Sequence, residues 1–444
     1  MTDGRDDETT ALAVPRPAPA EGGPAPADGG PAPADGRPAV MLLGSGDISR
    51  ELAIALGRLG ARVIAVDAHP QAPAHAVADQ ALVLPLTDAG ELSAAIHRLR
   101  PDVVVSTTDA VAVPALEALD GAGAEPVPSA RAVRLAADRE GLRRLAADEL
   151  GLPTAPFWFA GSLGELEAVG AHAGYPLLVK PVVGAVGPRQ SVVAGREDIA
   201  AAWHRAVDGQ PGARVLAETV VEVQFHVTLL AVRSEGAVGP AIEFCSPIGH
   251  RGAGGRVLES WQPQKMSPAA MDAAKSIAAR IVKALGGRGV FGVELMVNGD
   301  EVYFADVTAH PGDSAWVTVR SQRLSAFELQ ARTILGLPVD TMMVSPAAAR
   351  VVDSADPGDR AALSGALGVP ESDLRVCGGG LRALATAPEV AAARSAPPGR
   401  RRLTAARRRG WRGRLSRGGA GATASIRSQV RVAGNAYRDE GTPA

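Results

Sequence analysis

The chain has 444 residues, of which 46% are hydrophobic and 21% charged, and its formal net charge at pH 7 is -2. This length suffices for two or three domains, and the near-zero charge gives no general attraction to nucleic acid or membrane. No apolar run approaches the roughly 18 residues of a membrane-spanning helix, and no basic segment precedes an apolar one at the N-terminus. We therefore expect a cytoplasmic protein, whose Cys245 and Cys377 are reduced thiols and not part of a disulfide or zinc site.

The first 38 residues have low complexity. The unit GGPAPADG occurs at Gly22–Gly29 and again at Gly29–Gly36. Such a segment has almost no apolar surface to bury, and the units are too short and polar to stack as a repeat fold. We predict that residues 1–38 form a disordered tail rich in alanine, proline and glycine.

Order is predicted to begin at residue 39 with strands that alternate with helices. Short apolar runs predict strands at 39–43, 62–66, 81–84 and 102–106, and helical patterns lie at 48–59 and 89–99. This alternation is typical of a parallel sheet with helices on both faces. The sequence therefore predicts a doubly wound, Rossmann-like α/β domain over residues 39–130.

The rest of the chain has a different pattern. Residues 131–335 begin with a helical segment at 130–150 and continue with strands in hairpin order beside longer helices, which predicts an α+β domain. Residues 336–388 are expected to form a small C-terminal lobe. Residues 389–444 are arginine-rich, with ten arginines and no acid between Arg394 and Arg417, and are expected to be a disordered tail. Weak binding to a polyanion is the alternative for this tail, and no specific nucleic-acid partner is predicted.

A glycine turn follows the first strand. Gly44 and Gly46 precede a helix, and Asp67 ends the next strand, as in a dinucleotide-binding fingerprint. Ser49 stands where the third glycine would be, and a lone GxG pattern is weak evidence. Because no later segment has the pattern of a dehydrogenase catalytic domain, we set the dehydrogenase interpretation aside.

Longer stretches carry a more specific resemblance. They are Val40–Asp67 (VMLLGSGDISRELAIALGRLGARVIAVD), Gly174–Pro181 (GYPLLVKP), Pro247–Arg251 (PIGHR), Glu259–Pro268 (ESWQPQKMSP) and Phe291–Leu295 (FGVEL). With these the chain resembles the formate-dependent phosphoribosylglycinamide formyltransferases of the ATP-grasp superfamily, over about residues 40–387. The resemblance implies an ATP-grasp fold, with an N-terminal Rossmann-like domain and a small C-terminal lobe.

The resemblance also implies an activity. Formate would be phosphorylated by ATP to formyl phosphate, and the amine of glycinamide ribonucleotide would then take the formyl group in purine synthesis. ATP and Mg²⁺ are the implied cofactors, and a homodimer is the implied assembly. Such a site needs cations for the triphosphate and carboxylates for Mg²⁺.

The resemblance assigns Arg139 and Lys180 to the triphosphate and Glu294 and Asp306 to the metal, with aspartate at a position where the family usually has glutamate. Acids in otherwise apolar strands are costly unless they are paired or metal-bound, which supports the metal assignment. Lys180 and Asp313 are the expected catalytic residues. The remaining ATP-binding positions are Gly187, Arg189, Gln190, Glu218, Thr219, Val220, Val221 and His226, and the substrate-binding positions are Asp47, Ile48, Thr107, Asp313 and Arg382.

Several positions depart from the family pattern. In the phosphate loop Pro188 replaces a lysine, and we expect Arg189 to restore its charge; His226 replaces the acid that holds the ATP ribose. His310 replaces an arginine. In the C-terminal region the lysine and arginine pair that hold the ribonucleotide phosphate are missing, and Arg382 remains with Arg375 nearby.

Three hypotheses follow from this sequence. The first is a working transformylase with a variant site. The second is an ATP-grasp ligase for another carboxylate and amine, since the ATP half of the site is better kept than the ribonucleotide half. The third is a degenerate protein that binds nucleotide without turnover.

Overall fold

The computed structural model describes residues 36–119, 123–183, 189–236, 239–253, 256–352, 358–378 and 380–396. Its N-terminal part is a parallel sheet with the strand order β3-β2-β1-β4-β5. These strands are β1 (Ala39–Leu43), β2 (Arg62–Asp67), β3 (Gln80–Val83), β4 (Val103–Ser106) and β5 (Glu125–Pro126). The helices beside them are α1 (Asp47–Arg58), α2 (Ala89–Leu99), α3 (Val113–Glu117) and α4 (Ala130–Ala137). The predicted doubly wound α/β domain is confirmed.

The apolar strand β1 explains why helices cover both faces of this sheet. Leu42 packs in one cluster with Leu56 of α1, and Met41 packs in another with Ile96 of α2. A strand buried on both faces favours a continuous apolar run over an alternating one. The carboxyl ends of β1, β2 and β4 therefore meet at one open edge of the domain, where α1 begins.

A four-stranded antiparallel sheet forms the second part, with the order β6-β9-β7-β8. It contains β6 (Phe157–Ala160), β7 (Leu177–Pro181), β8 (Ser191–Val193) and β9 (Val215–Thr219). Helix α5 (Arg139–Arg144) precedes it, and α6 (Leu163–Ala173) and α7 (Ile199–Val207) pack on one face.

The third part is a larger sheet with the order β15-β14-β10-β12-β13-β16-β18-β17, and β11 pairs with β10. Its first strands are β10 (Phe225–Gly236), β11 (Gly239–Phe244), β12 (Ile248–Ala253), β13 (Arg256–Gln262), β14 (Gly289–Asn298) and β15 (Glu301–Thr308). The later strands are β16 (Ala347–Val352), β17 (Ser372–Cys377) and β18 (Gly380–Thr386). The helices are α8 (Pro268–Leu285), α9 (Thr318–Ser321), α10 (Ala326–Ile334), α11 (Arg360–Leu367) and α12 (Val390–Ser395).

Three predicted boundaries need correction. The helix expected over 130–150 is interrupted at Asp138, whose carboxylate caps α5 by accepting the Glu140 N–H. The expected C-terminal lobe shares its sheet with the preceding domain, because β16 pairs with β13. Residues 389–396, which were expected to be part of the disordered tail, are structured, since Arg394 in α12 stacks on the Trp261 ring at 3.9 Å and pairs with Glu259. Most of both predicted disordered tails lies outside the described residues.

Among the described residues, no helix is long and apolar enough to cross a bilayer.

Candidate active site

A narrow cleft separates the two antiparallel sheets, and charged side chains from both sides line it. Arg139 and Arg143 enter it from α5, Lys180 from β7 and Asp306 from β15. The guanidinium of Arg139 donates to the Pro181 carbonyl at 3.3 Å, which ties α5 to the end of β7. Cations from one side thus face a carboxylate from the other, as binding of a metal-bound polyphosphate requires.

Glu218 holds two of these cations. Its buried carboxylate accepts hydrogen bonds from Arg143 and pairs with the ammonium of Lys180. Burial opposes ionisation of Glu218, but the charges of Lys180 and Arg143 outweigh it and lower its pKa. The side chain of Glu218 is therefore held by these two cations, inside a sheet where its backbone pairs with Phe157 and Leu178.

Glu294 and Asp306 lie opposite each other on β14 and β15, as predicted, with a β-bulge just after Glu294. Burial raises the pKa of Asp306, although Arg139 and Lys180 oppose this change. Within the described residues no cluster of three or more acidic, histidine or cysteine side chains forms a ready-made metal site. Two carboxylates in register fit Mg²⁺, because this ion commonly takes one or two protein carboxylates and completes its shell with phosphate oxygens and water.

Both carboxylate oxygens of Glu294 have protein partners. Thr228 donates to one oxygen at 2.7 Å, and Nε2 of His250 lies 2.8 Å from the other. The hydroxyls of Thr228 and Ser314 are also 2.7 Å apart. Because a carboxylate only accepts, the proton of Thr228 goes to Glu294, and Ser314 must donate to Thr228. These connected hydrogen bonds fix the orientation of Glu294, and they end at Ser314, the residue next to Asp313.

His226 lies on β10, and its ring is 6.1 Å from the ring of His250. Desolvation by the surrounding protein and the neighbouring His250 lower the pKa of His226, so a neutral imidazole is favoured. A neutral imidazole can accept a hydrogen bond from a ribose hydroxyl. The predicted ATP-binding residues Thr219, Val220 and Val221 lie at the end of β9 and just after it, where Val220 is 47% exposed and its N–H donates to the Pro176 carbonyl.

The phosphate loop is only partly described. Gly187 and Pro188 lie outside the described residues. Gln190 lies next to β8, and the guanidinium of Arg189 donates to the Ala206 carbonyl at 2.7 Å. Carbonyls near the C-terminal end of α7 attract a cation. Arg189 is thus committed to this helix end, and the expectation that it takes the place of the missing lysine is not met in this structure.

A second cavity, of about 530 Å³, lies where the N-terminal domain meets the larger sheet. Its walls are the loop after β1, the ends of β2 and β4, and residues from the turn after β15 and from β18. Its lining includes the predicted residues Asp47, Ile48, Thr107, Asp313 and Arg382, together with Asp67, His69 and Trp316. Doubly wound domains bind ligands at this edge, at the carboxyl ends of their strands.

Asp313 and Arg382 form an ion pair in this cavity. Their oxygen and nitrogen are 2.7 Å apart, and the guanidinium lies 5.1 Å from the centre of the buried Trp316 ring. The Asp313 side chain is 41% exposed, so it can also contact a substrate. The predicted substrate acid is therefore held by an arginine on a neighbouring strand.

Three further positions have local partners. Asp47 accepts the Gly378 N–H at 2.9 Å, which joins α1 to the β17–β18 hairpin. Thr107, at the end of β4, contacts the Ser49 hydroxyl at 2.7 Å. His310, which replaces the family arginine, places Nδ1 3.0 Å from the carbonyl of Pro311.

Sequence reasoning missed several residues of the site. Arg143 is one helical turn after Arg139, and this i,i+4 spacing was a usable signal. Thr228 follows His226 by two residues in a strand, which places both side chains on one face. His250 lies within a family motif, whereas nothing in the sequence singles out Ser314.

Two family models match consecutive regions of the chain. A model described as the ribonucleotide synthetase preATP-grasp domain matches residues 38–137, and a model described as the ATP-grasp domain matches residues 145–327. The solved N5-carboxyaminoimidazole ribonucleotide synthetase of Thermus thermophilus has a TM-score of 0.70 at 26% identity, covering 83% of this chain and 98% of that one. The chain is therefore an ATP-grasp enzyme, which confirms the predicted fold class.

Closer relatives define the family. The formate-dependent phosphoribosylglycinamide formyltransferase of Corynebacterium glutamicum is 47% identical over 345 residues, which are 76% of this chain and 85% of the relative. That of Mycolicibacterium gilvum is 47% identical, covering 76% and 87%. The solved glycinamide-RNase-transformylase T of Mycobacterium tuberculosis is 63% identical, with a TM-score of 0.72, covering 83% of this chain and 99% of that one. This chain belongs to the formate-dependent phosphoribosylglycinamide formyltransferase family.

Proposed function

We propose that this protein converts formate, ATP and glycinamide ribonucleotide into formylglycinamide ribonucleotide, ADP and phosphate, a reaction of purine biosynthesis. The observation that carries the proposal is 47% identity across 85% of a relative named for this activity. The meeting of Arg139, Lys180 and Asp306 in one cleft supports it. The neighbouring cavity offers room for the amine substrate.

The first step would take place in the cleft. A carboxylate oxygen of formate attacks the γ-phosphorus of ATP, the bond to the β,γ-bridging oxygen breaks, and formyl phosphate and ADP result. Arg139 and Lys180 would stabilise the charge of the transferred phosphoryl group, and Glu218 would hold Lys180 in place. Mg²⁺, held by Glu294 and Asp306, would neutralise phosphate charge in this step.

The second step would take place between the cleft and the cavity. The substrate amine attacks the formyl carbon, the carbon–oxygen bond to phosphate breaks, and phosphate leaves. Asp313 would orient the amine and take up the proton that it loses. The hydrogen bonds from Glu294 through Thr228 to Ser314, which adjoins Asp313, support a short path between the two steps.

The experiment uses formate in which both oxygens are ¹⁸O. An acyl phosphate route predicts one ¹⁸O in the released phosphate and one in the new formyl group, both measured by mass spectrometry. Phosphate without ¹⁸O would refute the proposal. Lys180→Met should lower turnover at least ~100-fold, whereas Lys275→Met, which changes an exposed lysine of α8, should leave it unchanged.

We also propose a cytoplasmic homodimer, on the basis of the family resemblance. Light scattering after size-exclusion chromatography tests the assembly. A mass near 91 kDa, about twice the 45.3 kDa of one chain, is expected, and a mass of one chain would contradict it.

A further inference from the structure

Among the described residues that line the 530 Å³ cavity, carboxylates outnumber cationic side chains. Asp47, Asp67 and Asp313 line it, against the guanidinium of Arg382 and the imidazole of His69. A phosphate dianion binds best where arginine or lysine side chains offer charge-assisted hydrogen bonds. Amines and hydroxyls, in contrast, bind well to carboxylates. The lining of this cavity therefore favours the amine and ribose end of a substrate over its phosphate.

The carboxylate of Asp67 stays ionised. Partial burial opposes ionisation, but the N–H groups of Ser45 and His69, which donate at 2.8 and 3.0 Å, and the His69 ring outweigh it and lower the pKa of Asp67. The imidazole of His69 lies 3.0 Å from the same carboxylate, with an 87% exposed side chain. This histidine is thus paired with an acid and placed at the solvent side of the cavity.

The guanidinium of Arg382 already has an anionic partner. It lies 2.7 Å from Asp313 and is held over the Trp316 ring. A phosphate at this position would compete with Asp313 for Arg382 and would also meet its negative charge. The ion pair therefore contributes much less to phosphate binding than an arginine without a carboxylate partner would.

At the rim of the cavity, beside Asp47, the β17–β18 hairpin contacts α1. The Gly378 N–H donates to Asp47, and Arg50 donates to the Val376 carbonyl at 2.6 Å. Arg50 also lies 3.7 Å from Asp47 and 3.8 Å from Glu51. The guanidinium at this rim is therefore also paired with carboxylates.

We propose, on the basis of the proposed function, that the enzyme recognises the amine and ribose of its substrate and gains little from the phosphate. Ribosylglycinamide, the substrate without its phosphate, is then formylated with a kcat/KM within about 30-fold of that for glycinamide ribonucleotide. The amine attacks the formyl carbon and phosphate leaves in the same way for both compounds.

The test compares kcat/KM for the two compounds with Mg-ATP and formate held at saturation. We expect the ribonucleotide to be preferred by less than about 30-fold, which corresponds to about 2 kcal/mol. A larger preference would overturn the inference. If neither compound is formylated, the proposed function fails, and calorimetric titration of each compound in the presence of Mg-ATP still compares their affinities against the same 30-fold limit.

Discussion

Replacing Glu218 with glutamine tests whether the buried ion pairs hold the cleft together. The side chains of Glu218 and Arg143 are 6% and 5% exposed, and that of Lys180 is 16% exposed. The variant leaves two cations close together without their carboxylate. Removing one partner of a buried ion pair costs about 3–5 kcal/mol, and we take about 3 kcal/mol because glutamine keeps the shape of glutamate. In a chain of this length each kcal/mol shifts Tm by about 1 °C, so Tm should fall by about 3 °C.

Differential scanning calorimetry measures this change, with Glu167→Gln on the exposed surface of α6 as the matched control. The folded protein holds the pKa of Glu218 below its ordinary value of 4.5. Its ionised carboxylate therefore stabilises the fold fully above that pH, and this stabilisation is lost as the pH falls toward the lower folded pKa. The Tm difference should be constant above about pH 6 and should narrow below about pH 4.5. A loss no greater than that of the control would refute the reasoning.

Three other predictions concern the site and its supports. Thr228→Val should raise the Mg²⁺ concentration needed for half-maximal binding of ATP at least ~10-fold, because Glu294 loses a hydrogen bond. Thr228→Ser keeps this hydrogen bond and should not raise it. Equal Mg²⁺ concentrations for the two variants would contradict the positioning role of Thr228. Asp313→Asn should lower kcat/KM for the amine substrate by about 100-fold and leave the KM for ATP unchanged. If only the KM for ATP changed, a role of Asp313 at the amine would be excluded. Arg394→Ala should lower the free energy of unfolding by about 1–3 kcal/mol, because it removes the stacking on Trp261 and the ion pair with the buried Glu259. Urea denaturation measures this change. An unchanged midpoint would show that α12 docks without the Arg394 side chain.

Much of the fold could be predicted from local sequence. The apolar run at β1 and the helical period of α2 gave their observed bounds, because a strand buried on both faces needs a continuous apolar run and a helix buried on one face needs a periodic one. The hairpin of β14 and β15 was also predictable, since Asn298, Gly299 and Asp300 form a turn between alternating strands and Gly299 has a φ of 61°. Strands β12 and β13 were not predicted, and their position depends on pairing with β10, which lies before β11, and with β16, which is far away in sequence.

The same distinction between local sequence and distant contacts applies to the residues of the candidate site. Glu294 and Asp306 were assigned through the family resemblance, and the short hairpin between β14 and β15 sets their register. The ion pairs of Glu218 with Arg143 and of Asp313 with Arg382 join residues 75 and 69 positions apart, and no local pattern indicates them. The position of the Arg189 side chain also depends on tertiary structure, because its guanidinium binds a carbonyl at the end of α7.

The most direct test of the proposed activity is ADP release by the purified protein with Mg-ATP. It is measured with formate and glycinamide ribonucleotide together, with each alone and with neither. We predict rapid release only when both are present, in equal amount to the formylated product. Release that is independent of either compound, or none at all while ATP binds, would contradict the assignment as a formate-dependent transformylase.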